Sequence, residues 1–268
     1  MLEPAQDIPV DLGFVVRLDV ARFRGAMPQV MFELFMRLFL EGMGAEAFTQ
    51  AACSSGRLYL GARPTGLVSK AAPLAVDYVL VLDQLAPGVA RDWAAEFHAP
   101  RDLGRAYFRY DAKQPERRFS PARVYEKAGE RLTIASAAEV DATERVIERH
   151  VRARTVVPEE RGALSVEIDT AVLASVLEPT SPRMSQLVAR ADDMRAYIEI
   201  NQEQCTGVLR AHFGLASEAE RIKDALSVVL AALQMGNSVV KIEVTVSDAD
   251  LIVQGKVPIN WLFALMGA

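Results

Sequence analysis

The chain has 268 residues, 51% of them hydrophobic and 24% charged, with a formal net charge of −5. These are the proportions of an ordinary folded protein; they exclude disorder and collagen-like repeats, and the acidic balance leaves no broad basic field for nucleic acid. No apolar run reaches the roughly 20 residues that a spanning helix needs, so no transmembrane span is expected.

Met1 to Asp7 is polar and is expected to be a flexible lead-in or tether. Phe14, Val16, Leu18 and Val20 alternate with Val15, Arg17 and Asp19, the period of a strand with one buried face. Met27 to Met43 follows as a helix. Glu33, Arg37 and Glu41 lie four apart and form one narrow polar stripe, while the rest of the circumference is apolar. Gly42 and Gly44 stop it, so the loose G-x-G-x-x-A of Gly42 to Ala47 follows a helix rather than a strand and is no dinucleotide fingerprint.

Strands are expected at 57–62 and 76–83, then a helix from Pro87 to about His98. In 105–110 the arginines share a face with Tyr107, while Ala106, Phe108 and Tyr110 take the other. Arg117, Arg118 and Arg123 read as solvated loop or strand-edge charges. Residues 124–134 form a hairpin, and Asp141 to Glu144 is a capping-box pattern that opens a helix to about Arg154. The charged, Pro158-containing stretch 155–162 reads as a linker.

The order then begins again. Leu164, Val166 and Ile168 alternate, helical turns start at Thr170, and strands are expected at 195–201 and 208–213. A capping box at Ser217 to Glu220 opens a long helix that Gly236-Asn237 ends. Val240 to Val246 and 251–257 form a hairpin about Asp248-Ala249, and 259–266 is a short apolar helix. Val16-x-Leu18-Asp19-x-Ala21 lies over Val166-x-Ile168-Asp169-x-Ala171, and Arg57-Leu58-Tyr59 over Arg195-Ala196-Tyr197. The expected fold is therefore α+β, a tandem duplication of an antiparallel-sheet unit with helices packed on one face, the units spanning 8–157 and 162–268. Asp19 and Asp169 are expected to cap the helices that follow them.

Enzyme signatures fail one by one. His98, His150 and His212 lack second ligands at metal-site spacing, Asp248-Ala-Asp250 lacks the further ligands of a calcium loop, and no nucleophile, base and oxyanion donors converge. No catalytic residue, metal site or cofactor is assigned. Two cysteines fit either a reducing compartment or one bridge, so a Cys53–Cys205 disulfide stays open. The unusual feature is the helix of Met27, Met31, Phe35 and Phe39, whose flexible thioethers and rings suit an adaptable binding surface. Burial of that helix between the two units, where apolar character all round is expected, is the leading reading; the other is a groove for a lipid-like ligand or a partner helix, with Trp261, Leu262, Phe263 and Leu265 as candidate neighbours.

Two segments carry a resemblance: the opening run from Ile8-Pro9-Val10-Asp11 through Asp19 to Arg24, and the run from Ala135 through Glu139, Asp141 and Glu144 to Glu148. Together they resemble a group of predicted bacterial lipoproteins of the myxobacterial type, with two similar halves behind a lipobox cysteine. The resemblance implies a tethered periplasmic protein, periplasmic or lipid-anchored, and assigns no functional residue. The opening residues, with no charged n-region or apolar h-region, favour the cytoplasm by themselves. The resulting expectation is a non-enzymatic envelope-associated binding or scaffold protein with a protein partner or self-association. A carrier of an apolar or lipid-like ligand is the alternative, and a hydrolase ranks third.

Overall fold

Alternating apolar side chains over 14–19 build the first strand, because a period of two sends one row to each face of a sheet. The computed structural model describes residues 7–9, 11–64, 76–89, 91–104, 106–114, 121–127, 129–148, 162–179, 181–201, 204–235 and 241–258, the side chains of 225 and 228–235 excepted. The chain divides into two compact units, Met1–Pro158 and Glu159–Ala268.

The first unit contains β1 (Phe14–Asp19), α1 (Val20–Gly25), α2 (Gln29–Glu41), α3 (Thr49–Ser54), β2 (Arg57–Pro64) and β3 (Val76–Asp83). It continues with β4 (Arg101–Gly104), β5 (Tyr107–Asp111), β6 (Pro121–Lys127), β7 (Arg131–Ser136) and α4 (Val140–Ile147). The strands run in the order β1-β2-β3-β7-β6-β5-β4, each pair antiparallel. One face carries Val15, Tyr59, Val79 and Val81, closed over by Ile8 and Leu12. Gly61 makes room there, since a Cβ on it would sit 2.6 Å from Ile8 Cγ2 and Leu12 Cδ1. Register places Tyr125 on that same face through Thr133, and Ile147 of α4 packs on Tyr125 and Tyr107. The opposite face carries Leu58, Leu80, Leu82, Ile134 and Val124, all buried, and Tyr110, whose ring meets Trp93 beside Phe48. Helical elements thus cover both faces of this sheet, which corrects the one-face expectation. Tyr107, Tyr125 and Val79 give the face of Val15 and Tyr59 an apolar surface of its own, and α4 buries part of it.

The second unit contains β8 (Leu164–Ile168), α5 (Thr170–Leu177), α6 (Pro182–Val188), β9 (Ala191–Ile200), β10 (Gln204–Phe213), α7 (Ala216–Met235), β11 (Lys241–Ser247) and β12 (Asp250–Pro258). Its antiparallel order is β8-β9-β10-β12-β11. Met194, Ala211, Phe213 and Leu251 form the core face under Ala174, Val188, Ala219 and Ile222, so α5, α6 and α7 share one side. The strand orders β1-β2-β3-β7-β6 and β8-β9-β10-β12-β11 are the same, with helices after the first strand in both. Between the third and fourth of these strands, the first unit carries β4 and β5 and the second carries α7.

Asp19 Oδ1 accepts from the Arg22 amide at 2.9 Å, and Asp169 Oδ1 accepts from Ala171 and Val172 at 2.9 and 3.1 Å. Both are the helix caps that the repeated pattern predicts. The second sequence match is not in step with the strand pairing: Leu18 faces Leu58 while Ile168 faces Met194, two residues before the Ala196 that the match sets over Leu58.

Other expectations need correction. The segment after Pro87 is a helix only as a short 3-10 turn, Asp92–Glu96, because Gly88 takes a left-handed φ of 78° and breaks the run before it. Asp141 caps nothing. The helix α4 begins at Val140, and Glu144 is drawn instead to Arg109, at 2.8 Å, and to Arg123. Arg123 also meets Asp111 at 2.7 Å, so it is a tied residue rather than a solvated charge. Asp7 is buried and hydrogen-bonded, not part of a flexible lead-in. The linker 155–161, the helix stop at Gly236-Asn237, the closing apolar helix with Trp261 to Leu265, and Arg105, Arg117, Arg118 and His150 lie outside the described residues.

Candidate functional site

At 3.6 residues per turn, α2 sends Phe32, Met36 and Leu40 inward, and these three are the buried row of the helix. The other apolar residues form two bands. Met31, Phe35 and Phe39 are half-buried on one flank, where the Phe35 ring lies 4.7 Å from Phe23 of α1 and 6.2 Å from Phe39. Met27 precedes the helix and is only 8% exposed. The residues singled out from sequence are therefore buried or half-buried, and Phe35 fastens α2 to α1. Val30, Leu34 and Leu38 form the second band and are 75%, 36% and 38% exposed. This corrects the expectation of a helix enclosed on every side. The signal that finds these residues is Glu33, Arg37 and Glu41, because charges at four-residue spacing mark the outward face and Val30 and Leu34 share it.

Beside that band lies a cleft of about 650 Å³, bounded by Val30, Glu33, Leu34 and Arg37 of α2. Its opposite wall is Glu46, Ala47, Thr49, Gln50, Ala51 and Cys53, with Trp93 in the floor and Asp92 at the rim. The floor is rigid by construction. Trp93 is 3% exposed and packs against Phe48, Phe97 and Tyr110 with ring centroids at 5.5, 5.8 and 5.0 Å. Gly42 caps the end of α2, and Gly44, with a φ of 63°, turns the chain back so that Ala47 and Ala51 face the helix they follow.

Cys53 has a thiol pushed up to about 11, first by burial and then by the nearby Glu33 carboxylate, with Arg24 opposing weakly. At neutral pH the protonated thiol predominates, so reaction with a thiol reagent is slow and follows the small thiolate fraction. Cys205 is buried in β10, burial raising its thiol as well, and the two cysteines are free of each other. His212 is exposed on the side of the second sheet away from its helices, with Nδ1 2.7 Å from Asp250 and Arg210 at 3.5 Å from the same carboxylate. The backbone N–H of His98 donates to Asp111 at 2.9 Å. Among the described residues no group of three acid, histidine or cysteine side chains is placed to hold a metal, and no helix is long and apolar enough to cross a membrane.

Two further polar networks are structural. Asp7 accepts from Thr133 Oγ1 at 2.8 Å and from the Tyr107 hydroxyl and Arg131 at 3.4 Å each, while Arg131 reaches Asp83 at 2.9 Å. Burial raises the Asp7 pKa above the usual carboxylate value, Arg131 and Thr133 pulling it back in part. Glu126, buried beneath Arg91, accepts from the Tyr110 hydroxyl at 2.7 Å. Each network ties a loop or terminal segment to the sheet, and none opens into the cleft.

No protein family and no curated protein matches the chain. Among solved structures, crystal form I of TP0453 is similar over 99% of this chain and 97% of that one, with a TM-score of 0.61 and 12% identity. Crystal form III of TP0453 covers 100% and 99%, with a TM-score of 0.61 and 11% identity. At such identity the likeness is one of fold, a mixed architecture of antiparallel sheet and helices.

Proposed function

We propose that the protein is a non-enzymatic binding or scaffold protein of the cell envelope, periplasmic or lipid-anchored, which engages another protein through the outward face of α2. One observation carries this reading: Val30, Leu34 and Leu38 stay exposed on a helix whose opposite row is fully buried. Contiguous apolar side chains left in water on a folded surface mark interaction sites, because covering them releases the free energy that folding did not capture. The envelope location rests on the resemblance of the opening residues and of 135–148 to predicted lipoproteins. The two units are read as a duplicated module on the strength of their common strand order and of the paired caps Asp19 and Asp169.

The test is a photo-crosslinking amino acid placed at Leu34 in the native host, with an exposed position on α6, Arg183, as control. A discrete protein adduct from position 34 that the control does not give is the expected result. Adducts no stronger than the control at 34, together with a solitary monomer by size-exclusion light scattering, would overturn the reading.

The second reading, a carrier of an apolar ligand, is favoured by the cleft volume, which falls within the usual range of small-molecule sites. Native mass spectrometry of gently purified protein decides it. A co-purifying apolar molecule lost on Leu34→Asp substitution supports a carrier, and a bare polypeptide mass removes it.

A further inference from the structure

The cleft beside α2 has the shape and charge of a slot for one particular kind of partner. Val30 and Leu34 stand four residues apart on one wall, and the other presents the small Ala47 beside the polar Thr49 and Gln50, with Ala51 buried behind them. A ridge of larger apolar side chains facing a wall of small and polar ones is an arrangement into which a third helix packs its own side chains at three- and four-residue spacing. Trp93, held by Phe48, Phe97 and Tyr110, supplies a flat apolar floor that does not need to be ordered on binding.

Charge then selects among helices. Glu33, Glu46 and Asp92 line the slot, Arg37 is the one cation among its described lining residues, and these four are exposed at its rim, with Arg24 behind Cys53. A partner with an acidic flank would bring like charges together there, and a partner with a basic flank meets complementary ones. The same acidic rim disfavours an anionic lipid surface, which repels carboxylates.

We infer that the α2–α3 cleft is a docking groove for an amphipathic helix of a partner protein, one with leucine-like side chains on its inner face and lysine or arginine on its flanks. This inference rests on the binding reading above and gives the partner its chemistry.

Two synthetic amphipathic peptides test it, alike in their leucine positions and flanked by lysine in one and glutamate in the other, titrated against the full chain by fluorescence anisotropy. The lysine-flanked peptide binds roughly tenfold tighter or more at low salt, and the preference shrinks as salt is added. Its binding slows alkylation of Cys53, which lines the groove, and is lost in Leu34→Asp. A second variant, Glu46→Lys with Asp92→Lys, changes only exposed rim side chains and reverses the charge preference. Equal binding of the two peptides, binding that ignores both variants, or Leu34-dependent binding to phosphatidylcholine vesicles in place of the peptides would each overturn the inference. Equal binding would leave the crosslinking result from Leu34 standing, so failure of the charge argument is distinct from failure of the binding reading.

Discussion

Asp7 is where removal of one side chain speaks most directly to how the first unit is held. In Asp7→Ala the Thr133 hydroxyl loses its acceptor at 2.8 Å, a bond to a carboxylate worth about 1.5–3 kcal/mol, and is left buried. The Tyr107 and Arg131 contacts at 3.4 Å are long and add little. Arg131 keeps Asp83 at 2.9 Å, so its charge stays compensated and the larger cost of about 3–5 kcal/mol for an orphaned buried ion does not arise. Relief of the carboxylate's own burial offsets part of the loss, and the net expectation is a destabilisation of about 2 kcal/mol at pH 7. Asp7→Asn keeps an acceptor for Thr133 and is expected to cost about half as much or less.

The pH dependence has a definite direction. A carboxyl whose folded pKa lies above its unfolded value of 3.8 holds its proton more tightly when folded. Its contribution to stability is complete below that value and drains away as the pH rises through the folded pKa. Wild type should therefore lose stability relative to Asp7→Asn on going from about pH 3.8 towards neutrality. Urea unfolding followed by Trp93 fluorescence in a Trp261→Phe background reports on this unit. An alanine variant within about 0.5 kcal/mol of wild type at pH 7 would refute the argument that Asp7 anchors its segment.

Gly61→Val drives a branched side chain into Ile8 and Leu12, where even a Cβ has 2.6 Å, and overpacking should cost about 1–3 kcal/mol in thermal unfolding. Asp19→Ala and Asp169→Ala each remove a helix cap and should each cost about 1 kcal/mol, with the Asp19 effect confined to the Trp93-monitored transition. Glu144→Ala frees Arg109 and Arg123 together from α4, a loss of about 1–2 kcal/mol for partly buried pairs, and the difference from wild type should narrow at high salt.

Much of the sheet is legible in the sequence, because strict alternation carries its own face assignment. The residues at 14–19, 76–83 and 164–168 are observed strands, and the hairpin about Asp248-Ala249 turns where its composition says. Short elements fixed by tertiary contacts are not legible. The helix α1 spans six residues with a cap as its main local signal, and the strand β4 is four residues paired to β5 with a shifted register. The capping-box pattern at Asp141 fails because Glu144 has stronger partners in Arg109 and Arg123, which no local reading supplies. For the candidate site, sequence points to the right helix but to its wrong flank. Methionines and rings draw attention to Met31, Phe35 and Phe39, yet these side chains are half-buried, Phe35 against Phe23 of α1 and Phe39 against Phe35. The residues left in water are the ones interleaved with Glu33 and Arg37, and the floor of the cleft comes from Trp93, distant in the chain.

The central claim is that the α2–α3 cleft is covered by a partner in the working protein, and Cys53 reports on it directly. Cys53 is half-exposed in the cleft whereas Cys205 is buried, so a maleimide reads chiefly the first thiol. Alkylation of Cys53 is predicted to be several-fold slower in intact host cells than in the purified protein, and Leu34→Asp should bring the two rates together. Equal rates in cells and in purified wild-type protein would mean that nothing occupies the cleft and would contradict the account.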